Sequence, residues 1–180
     1  METERLLIRR FMPGDAGGLF EYLSREAVVR YEPYSVFTRE QAEVEAMRRA
    51  GDPNFLAVCL RDSGRLIGNL YLAPGEFDTW ELGYVFHDGY QGKGYATEAA
   101  RAVTDELFES GKARRIVAMC NPENTASWRI LERLGMRREG HFREKVWFRK
   151  DSDGFPIWQD TYAYAILRSE WEKNRSPAQD

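Results

Sequence analysis

The sequence predicts a mixed α/β fold, one sheet with helices on both of its faces. Three observations lead there. Short strand-like apolar runs outnumber helical stretches, the two kinds follow one another in mixed order, and a helix opens from each of two corners, near Gly92–Gly94 and near Asn121–Asn124. With 180 residues, 43% apolar and 31% charged, the chain suits a single globular domain with a sizeable core. That domain is expected over 1–173, followed by a polar, flexible tail at 174–180.

The elements follow in order. Leu6 to Phe11 reads as the first strand, and Pro13 to Ser24 as a helix with Leu19, Phe20 and Leu23 on one face. Thr38 and Gln41 form a capping box that opens a second helix, which stops near Gly51-Asp52-Pro53. Tyr31 to Phe37, between them, is an aromatic-rich loop. Phe55 to Leu60 and Leu66 to Ala73 flank Asp62-Ser63-Gly64, a hairpin signal, and Thr79 to Phe86 is the next strand. After the glycine corner, Ala96, Ala99, Ala100, Val103, Leu107 and Phe108 share a helical stripe that Gly111 ends. Arg115 to Cys120 is a strand. A short helix from about Asn124 to Leu134 turns Trp128, Leu131 and Leu134 inward. Two last strands, near His141 to Arg149 and Thr161 to Leu167, are joined by the turn-rich segment Lys150 to Pro156.

Composition removes several function classes. The net charge, 26 − 29 = −3, comes without a basic cluster interleaved with aromatics, which argues against nucleic-acid binding. No apolar run approaches the ~20 residues that span a bilayer, and the acidic start Met1-Glu2-Thr3-Glu4 is unlike a signal peptide, so neither membrane nor export is expected and cytoplasmic residence is. Cys59 and Cys120 fall in strand-like runs without metal-ligand spacing and read as buried free thiols. His87 reads as a wet loop histidine and His141 as a strand residue with no motif. No G-x-S-x-G elbow and no metal pattern is present.

The segment Glu81-Leu-Gly-Tyr-Val-Phe-His-Asp-Gly-Tyr-Gln-Gly-Lys-Gly-Tyr-Ala-Thr-Glu-Ala-Ala100 carries the chemistry. Gly92 and Gly94 permit a tight turn and close approach of a ligand to the backbone. The free N–H groups and positive dipole end of the following helix complete a pocket for phosphate oxygens. A P-loop is excluded because Tyr95 follows Gly94 where Lys-Ser/Thr belongs. A dinucleotide fingerprint is excluded because Thr97 stands at the third glycine.

Gln91-Gly92-Lys93-Gly94-Tyr95-Ala96 resembles the Q/R-x-x-G-x-G/A pyrophosphate loop of the GNAT superfamily of acyl-CoA-dependent N-acyltransferases. Glu81-Leu82-Gly83-Tyr84 and Tyr95-Ala96-Thr97-Glu98-Ala99 look like its RimJ/RimL-like branch, whose founders acetylate ribosomal-protein N-termini. Asn121-Pro-Glu-Asn-Thr-Ala-Ser127 and Leu134-Gly135-Met136 look like the family's second signature. The resemblance runs from about Arg5 to Trp171. It implies a mostly antiparallel sheet splayed around the acyl-CoA site, between the strands ending at Phe86 and Cys120.

It also implies roles, each beside a plainer alternative. Glu81, ten residues before the loop, matches a base acting through water, or is a surface carboxylate on an alternating strand. Ser127 matches the branch's serine acid toward the departing thiolate, or is a helix-cap hydroxyl; the tyrosine many relatives carry at this duty is replaced by Leu131. Asn124 matches a ligand of the pantetheine arm, or is a helix N-cap. Phe86 would offer backbone groups to the arm while its ring packs. Gln91, Gly92, Lys93, Gly94, Tyr95 and Ala96 would give the pyrophosphate backbone donors, and Thr97 a hydroxyl. Arg129 matches a phosphate contact, or a surface ion pair.

The implied activity is acetyl transfer from acetyl-CoA to a primary amine by direct attack in a ternary complex, without a metal. A protein or peptide N-terminal amine is the favoured acceptor, with a small-molecule amine such as an antibiotic or polyamine as the alternative. A non-catalytic acyl-CoA sensor is the remaining one. The chain is expected to be a monomer or homodimer.

Overall fold

A computed structural model describes Met1–Arg175. Strands β1 (Leu6–Arg10), β2 (Phe55–Leu60), β3 (Leu66–Pro74), β4 (Thr79–Phe86), β5 (Arg115–Cys120), β6 (Arg137–Lys150) and β7 (Pro156–Leu167) form a seven-stranded sheet in the order β1-β2-β3-β4-β5-β7-β6. The β1–β2, β2–β3, β5–β7 and β6–β7 pairs are antiparallel, and β4–β5 is parallel. Helices α1 (Ala16–Leu23), α2 (Glu26–Val29), α3 (Arg39–Gly51), α4 (Tyr95–Glu109), α5 (Thr125–Arg133) and α6 (Arg168–Arg175) lie on both faces, so the mixed α/β class read from the element order is the class that forms. The chain divides into two compact units, 1–72 with 83–100, and 73–82 with the residues from 101 on.

In the first unit the helices bury one stripe each against the sheet. Leu19, Tyr22 and Leu23 of α1 and Ala42 and Ala46 of α3 pack with Phe11, Val29, Ala57, Cys59 and Leu66. Burying a large apolar side chain of this kind stabilises by about 1.5–3 kcal/mol. The capping box at α3 forms as predicted: Thr38 Oγ1 accepts the Gln41 N–H, and Gln41 Oε1 accepts the Thr38 N–H. A Cβ at Gly68 would sit 2.6 Å from the Phe86 ring and from the Val85 carbonyl, so only a hydrogen fits where β3 passes the end of β4.

The second unit is built on β5 and β7, which bury Ile116, Ala118, Tyr164, Ala165 and Ile166 alongside Leu107, Phe108, Leu131, Leu134 and Met136. β6 and β7 form a longer hairpin than the sequence suggested, with register shifts along it. At one irregularity Glu144 adopts φ 46° and donates its N–H to Asp160 Oδ1.

The sequence reading missed two short helices. α2 has only four residues, below the length at which periodicity speaks. α6 is polar, and its hold is tertiary: Trp171 lies on Phe108 at 5.4 Å and donates to Asp105 Oδ1 at 2.6 Å. It runs to Arg175, so Asn174 lies in a helix; the rest of the expected tail, 176–180, lies outside the described residues.

Candidate active site

The glycine corner is built from the end of β4. His87 caps a 3₁₀ turn (Asp88–Tyr90) by accepting the Gly89 N–H at Nδ1, 2.9 Å away. The Arg25 guanidinium grips the Asp88 carboxylate at 2.5 and 2.9 Å and holds it below the usual carboxylate range. Gly92 and Gly94 then take φ 75° and 83°, the left-handed region that favours glycine. The chain swings into α4, whose bonding starts with Glu98 N–H to the Gly94 carbonyl at 2.9 Å.

Gln91, Gly92, Lys93 and Gly94 are exposed, and Tyr95, Ala96 and Thr97 are half-buried. The amides of the first turn have no partner within the helix. A 15-residue helix behind them presents its positive dipole end. No side chain comes within 4 Å of a Cβ placed at Gly92, and at Gly94 the nearest atom is an Arg5 nitrogen at 3.4 Å. An exposed ring of backbone donors at a helix start, with room beside it, fits a pyrophosphate. The Lys93 ammonium lies 5.4 Å over the Tyr90 ring. The Phe86 ring is committed to packing over Gly68, which leaves its backbone as the part able to meet a ligand.

The second unit carries the other candidates. The parallel ladder consists of Thr79↔Arg115, Trp80↔Ile116 and Glu81↔Val117, so Glu81 is the last residue of β4 paired with β5. Its carboxylate is exposed. Past β5, Asn121 sets a tight turn: its Oδ1 accepts the Glu123 N–H at 2.8 Å, and its Nδ2 donates to Gln159 Oε1 at 2.9 Å. Asn124 then caps α5, its Oδ1 accepting the Ser127 N–H at 3.2 Å. Ser127, half-buried in the first turn, hydrogen-bonds with the Cys120 thiol. Burial pushes that thiol up to about 11, although the Ser127 contact pulls the other way, so Cys120 stays a neutral thiol at physiological pH. Arg129 is exposed and stacks on Trp128 at 5.5 Å. His141 Nε2 lies 2.7 Å from Asp160. Among the described residues no three His, Cys, Asp or Glu side chains are grouped so as to hold a metal ion.

Two clusters were not read from the sequence. Arg5 reaches the glycine corner, donating to the Lys93 carbonyl and pairing with Glu98 of α4. Under the aromatic loop, Arg49 is fully buried between Glu45, at 2.6 Å, and Asn69, at 2.9 Å, and Asn69 also accepts from Tyr22. Beside it, burial raises the Glu32 carboxyl to about 7 against the pull of Tyr34 and Arg49. Arg5 and Glu98 are 93 positions apart, Tyr22 and Asn69 47, and Arg49 and Asn69 20, separations that no local pattern reports.

Comparison with known proteins gives the class, an acyl-CoA-dependent acetyltransferase. Residues 5–137 match the Acetyltransferase (GNAT) domain family, and the chain belongs to it. It is 42% identical over 172 residues to the uncharacterized N-acetyltransferase YnaD of Bacillus subtilis, covering 94% of this chain and 97% of that protein. It is 25% identical to the [ribosomal protein uS5]-alanine N-acetyltransferase of Escherichia coli, over 97% and 94% of the two chains. The GNAT-family acetyltransferase structure from Bacillus anthracis superposes with a TM-score of 0.85 at 38% identity, over 94% and 98% of the chains. A spermidine N-acetyltransferase from Vibrio cholerae, solved with CoA and spermine, shares the fold with a TM-score of 0.77 at 19% identity, over 94% and 99%.

Proposed function

We propose that this N-acetyltransferase moves an acetyl group from acetyl-CoA to a protein or peptide N-terminal amine by direct attack in a ternary complex. The observation that carries the cofactor reading is the exposed, positive-φ corner at Gly92 and Gly94 that opens into α4. The backbone of Gln91–Ala96 and the Thr97 hydroxyl would hold the pyrophosphate, Asn124 and the Phe86 backbone the pantetheine arm, and Arg129 a phosphate. When bound, acetyl-CoA supplies an acyl group already activated as a thioester.

What remains for the protein is modest proton chemistry. An α-amine has pKa ~7.7–8.0, so a weak base through one water suffices to free its lone pair. Glu81, exposed at the end of the β4–β5 ladder, would accept that proton. A thiol of pKa ~8.5 leaves with limited help, and the Ser127 hydroxyl would protonate it. Positioning would supply much of the remaining acceleration. The neutral state of Cys120 supports direct attack over an acyl-cysteine.

The likeness to the RimJ/RimL-like branch, together with the uS5-alanine acetyltransferase relative, supports the N-terminal acceptor. A thiol-release assay with purified protein, acetyl-CoA, peptides with free N-termini and a polyamine and aminoglycoside panel tests this. Turnover on peptides supports the proposal, turnover on small amines alone replaces the acceptor, and tight acetyl-CoA binding with no turnover leaves a sensor.

A further inference from the structure

Glu98 presents a difficulty for a pyrophosphate at this corner. It is in the first turn of α4, the turn assigned to the pyrophosphate, and an uncompensated carboxylate there would repel phosphate charge. The structure compensates it from the chain's N-terminal segment. Thr3 Oγ1 donates to Glu98 Oε1 at 2.6 Å, the Arg5 backbone N–H to the same oxygen at 3.0 Å, and Arg5 Nε to Oε2 at 2.7 Å, with Nη2 2.6 Å from Oε2. Burial disfavours ionisation of Glu98, but these bonds outweigh it and hold its carboxyl below the usual carboxylate range. Glu98 therefore stays ionised and fixed.

The same guanidinium then reaches the loop itself. Arg5 Nη1 donates to the Lys93 carbonyl at 2.9 Å, its plane lies 4.6 Å over the Tyr95 ring, and Nη2 is the atom nearest a Cβ at Gly94. Lys93, Tyr95 and Glu98 are thus all touched by one side chain, which also fills the space beside Gly94. Pinning the Lys93 carbonyl fixes the peptide plane between the two positive-φ glycines, and so the direction in which the following N–H groups point.

We infer that Arg5 is a positioning residue for the cofactor: it neutralises Glu98 and locks the pyrophosphate loop in its binding conformation before the ligand arrives. The inference rests on assigning Gln91–Ala96 to the pyrophosphate. It has a sign that mere structural support lacks. Once the Arg5 side chain is gone, the harm comes partly from a carboxylate without its counter-charge, so removing that carboxylate as well should restore binding rather than weaken it further.

Calorimetric titration with CoA, and with S-acetyl-pantetheine as a probe lacking the pyrophosphate, tests it on wild type, Arg5→Ala, Arg5→Lys, Glu98→Gln, Arg5→Ala/Glu98→Gln and Gly94→Val. The loss of charge-assisted bonds in Arg5→Ala should weaken CoA by about tenfold or more. KM for acetyl-CoA should rise with it while kcat at saturation changes by less than about twofold. S-acetyl-pantetheine should bind the variant as it binds wild type. The double variant should bind CoA more tightly than Arg5→Ala, and Arg5→Lys, which keeps the charge but not the fork, should fall between wild type and Arg5→Ala. Should Arg5→Ala fail to fold, Arg5→Lys against wild type decides, with the same selectivity for CoA expected. Normal CoA affinity in Arg5→Ala, or a double variant no better than the single, overturns the inference. If wild type ignores CoA, or Gly94→Val binds it normally, the loop assignment itself has failed.

Discussion

Asn124 Oδ1 accepts the backbone N–H of Ser127 at 3.2 Å, closing the first turn of α5 with the same carboxamide that the pantetheine arm would meet. The plain and the functional readings of Asn124 are therefore compatible, and substitution can separate them. Asn124→Ala should cost about 1 kcal/mol of stability through the lost cap. Asn124→Ser, which can still cap, should recover the melting temperature but not the KM for acetyl-CoA. If Ser restores both, Asn124 is a cap and nothing more.

Glu81→Gln preserves the shape of β4 at the end of its ladder with β5 and removes the proposed proton acceptor. Loss of a general base costs about 10²–10⁴-fold in rate, so kcat should drop by that order while CoA affinity holds. The deficit should narrow as pH rises through the amine pKa, because more acceptor is then already neutral. An unchanged kcat and pH profile on a good acceptor would show that Glu81 is an ordinary exposed strand carboxylate.

Ser127 and Cys120 share a hydrogen bond but should differ in consequence. Ser127→Ala should lower kcat less than Glu81→Gln, since a thiolate leaves tolerably without an acid. Cys120→Ala should keep most activity and lose some stability, because a half-buried thiol is removed. Mass spectrometry after incubation with acetyl-CoA should find no acetyl adduct on Cys120. An adduct that turns over, or a well-folded Cys120→Ala protein without activity, would overturn direct attack.

Glu32 makes stability depend on pH in a defined direction. Burial lifts its carboxyl from 4.5 to about 7, with Tyr34 and Arg49 opposing. Between those values the unfolded chain releases the proton that the folded chain keeps, so this group's contribution is most favourable below pH 4.5 and is lost as pH rises toward 7. Glu32→Gln mimics the neutral form. Its melting temperature should match wild type near pH 4.5 and exceed it increasingly up to pH 7, where the gain levels off. A gain independent of pH would mean that the carboxyl is not the titrating group.

Much of the candidate site was legible because its logic is local. Gly92, Gly94 and the start of α4 lie within a few residues, and their φ values of 75° and 83° are the ones that favour glycine over other residues. Thr38 with Gln41, and Asn124 before Ser127, are likewise hydrogen bonds across three residues, written directly in the order of side chains. The strands β4 and β5 were read to the residue because apolar runs between turn signals leave little choice. The hairpin β6–β7 was read short because charged residues in exposed strands carry no periodic signal.

The sequence by itself determined the class of the sheet, the glycine corner at Gly92 and Gly94 and the caps at Thr38 and Asn124. Each depends on backbone preferences and burial patterns that act over a few residues. Only the tertiary structure decided that Arg5 meets Glu98 across 93 positions, that Arg49 meets Asn69 across 20, and that Glu32 is buried enough to hold its proton near neutrality. Charge pairing and desolvation depend on distance in space and on the removal of water, and both are set once the strands between those residues have paired.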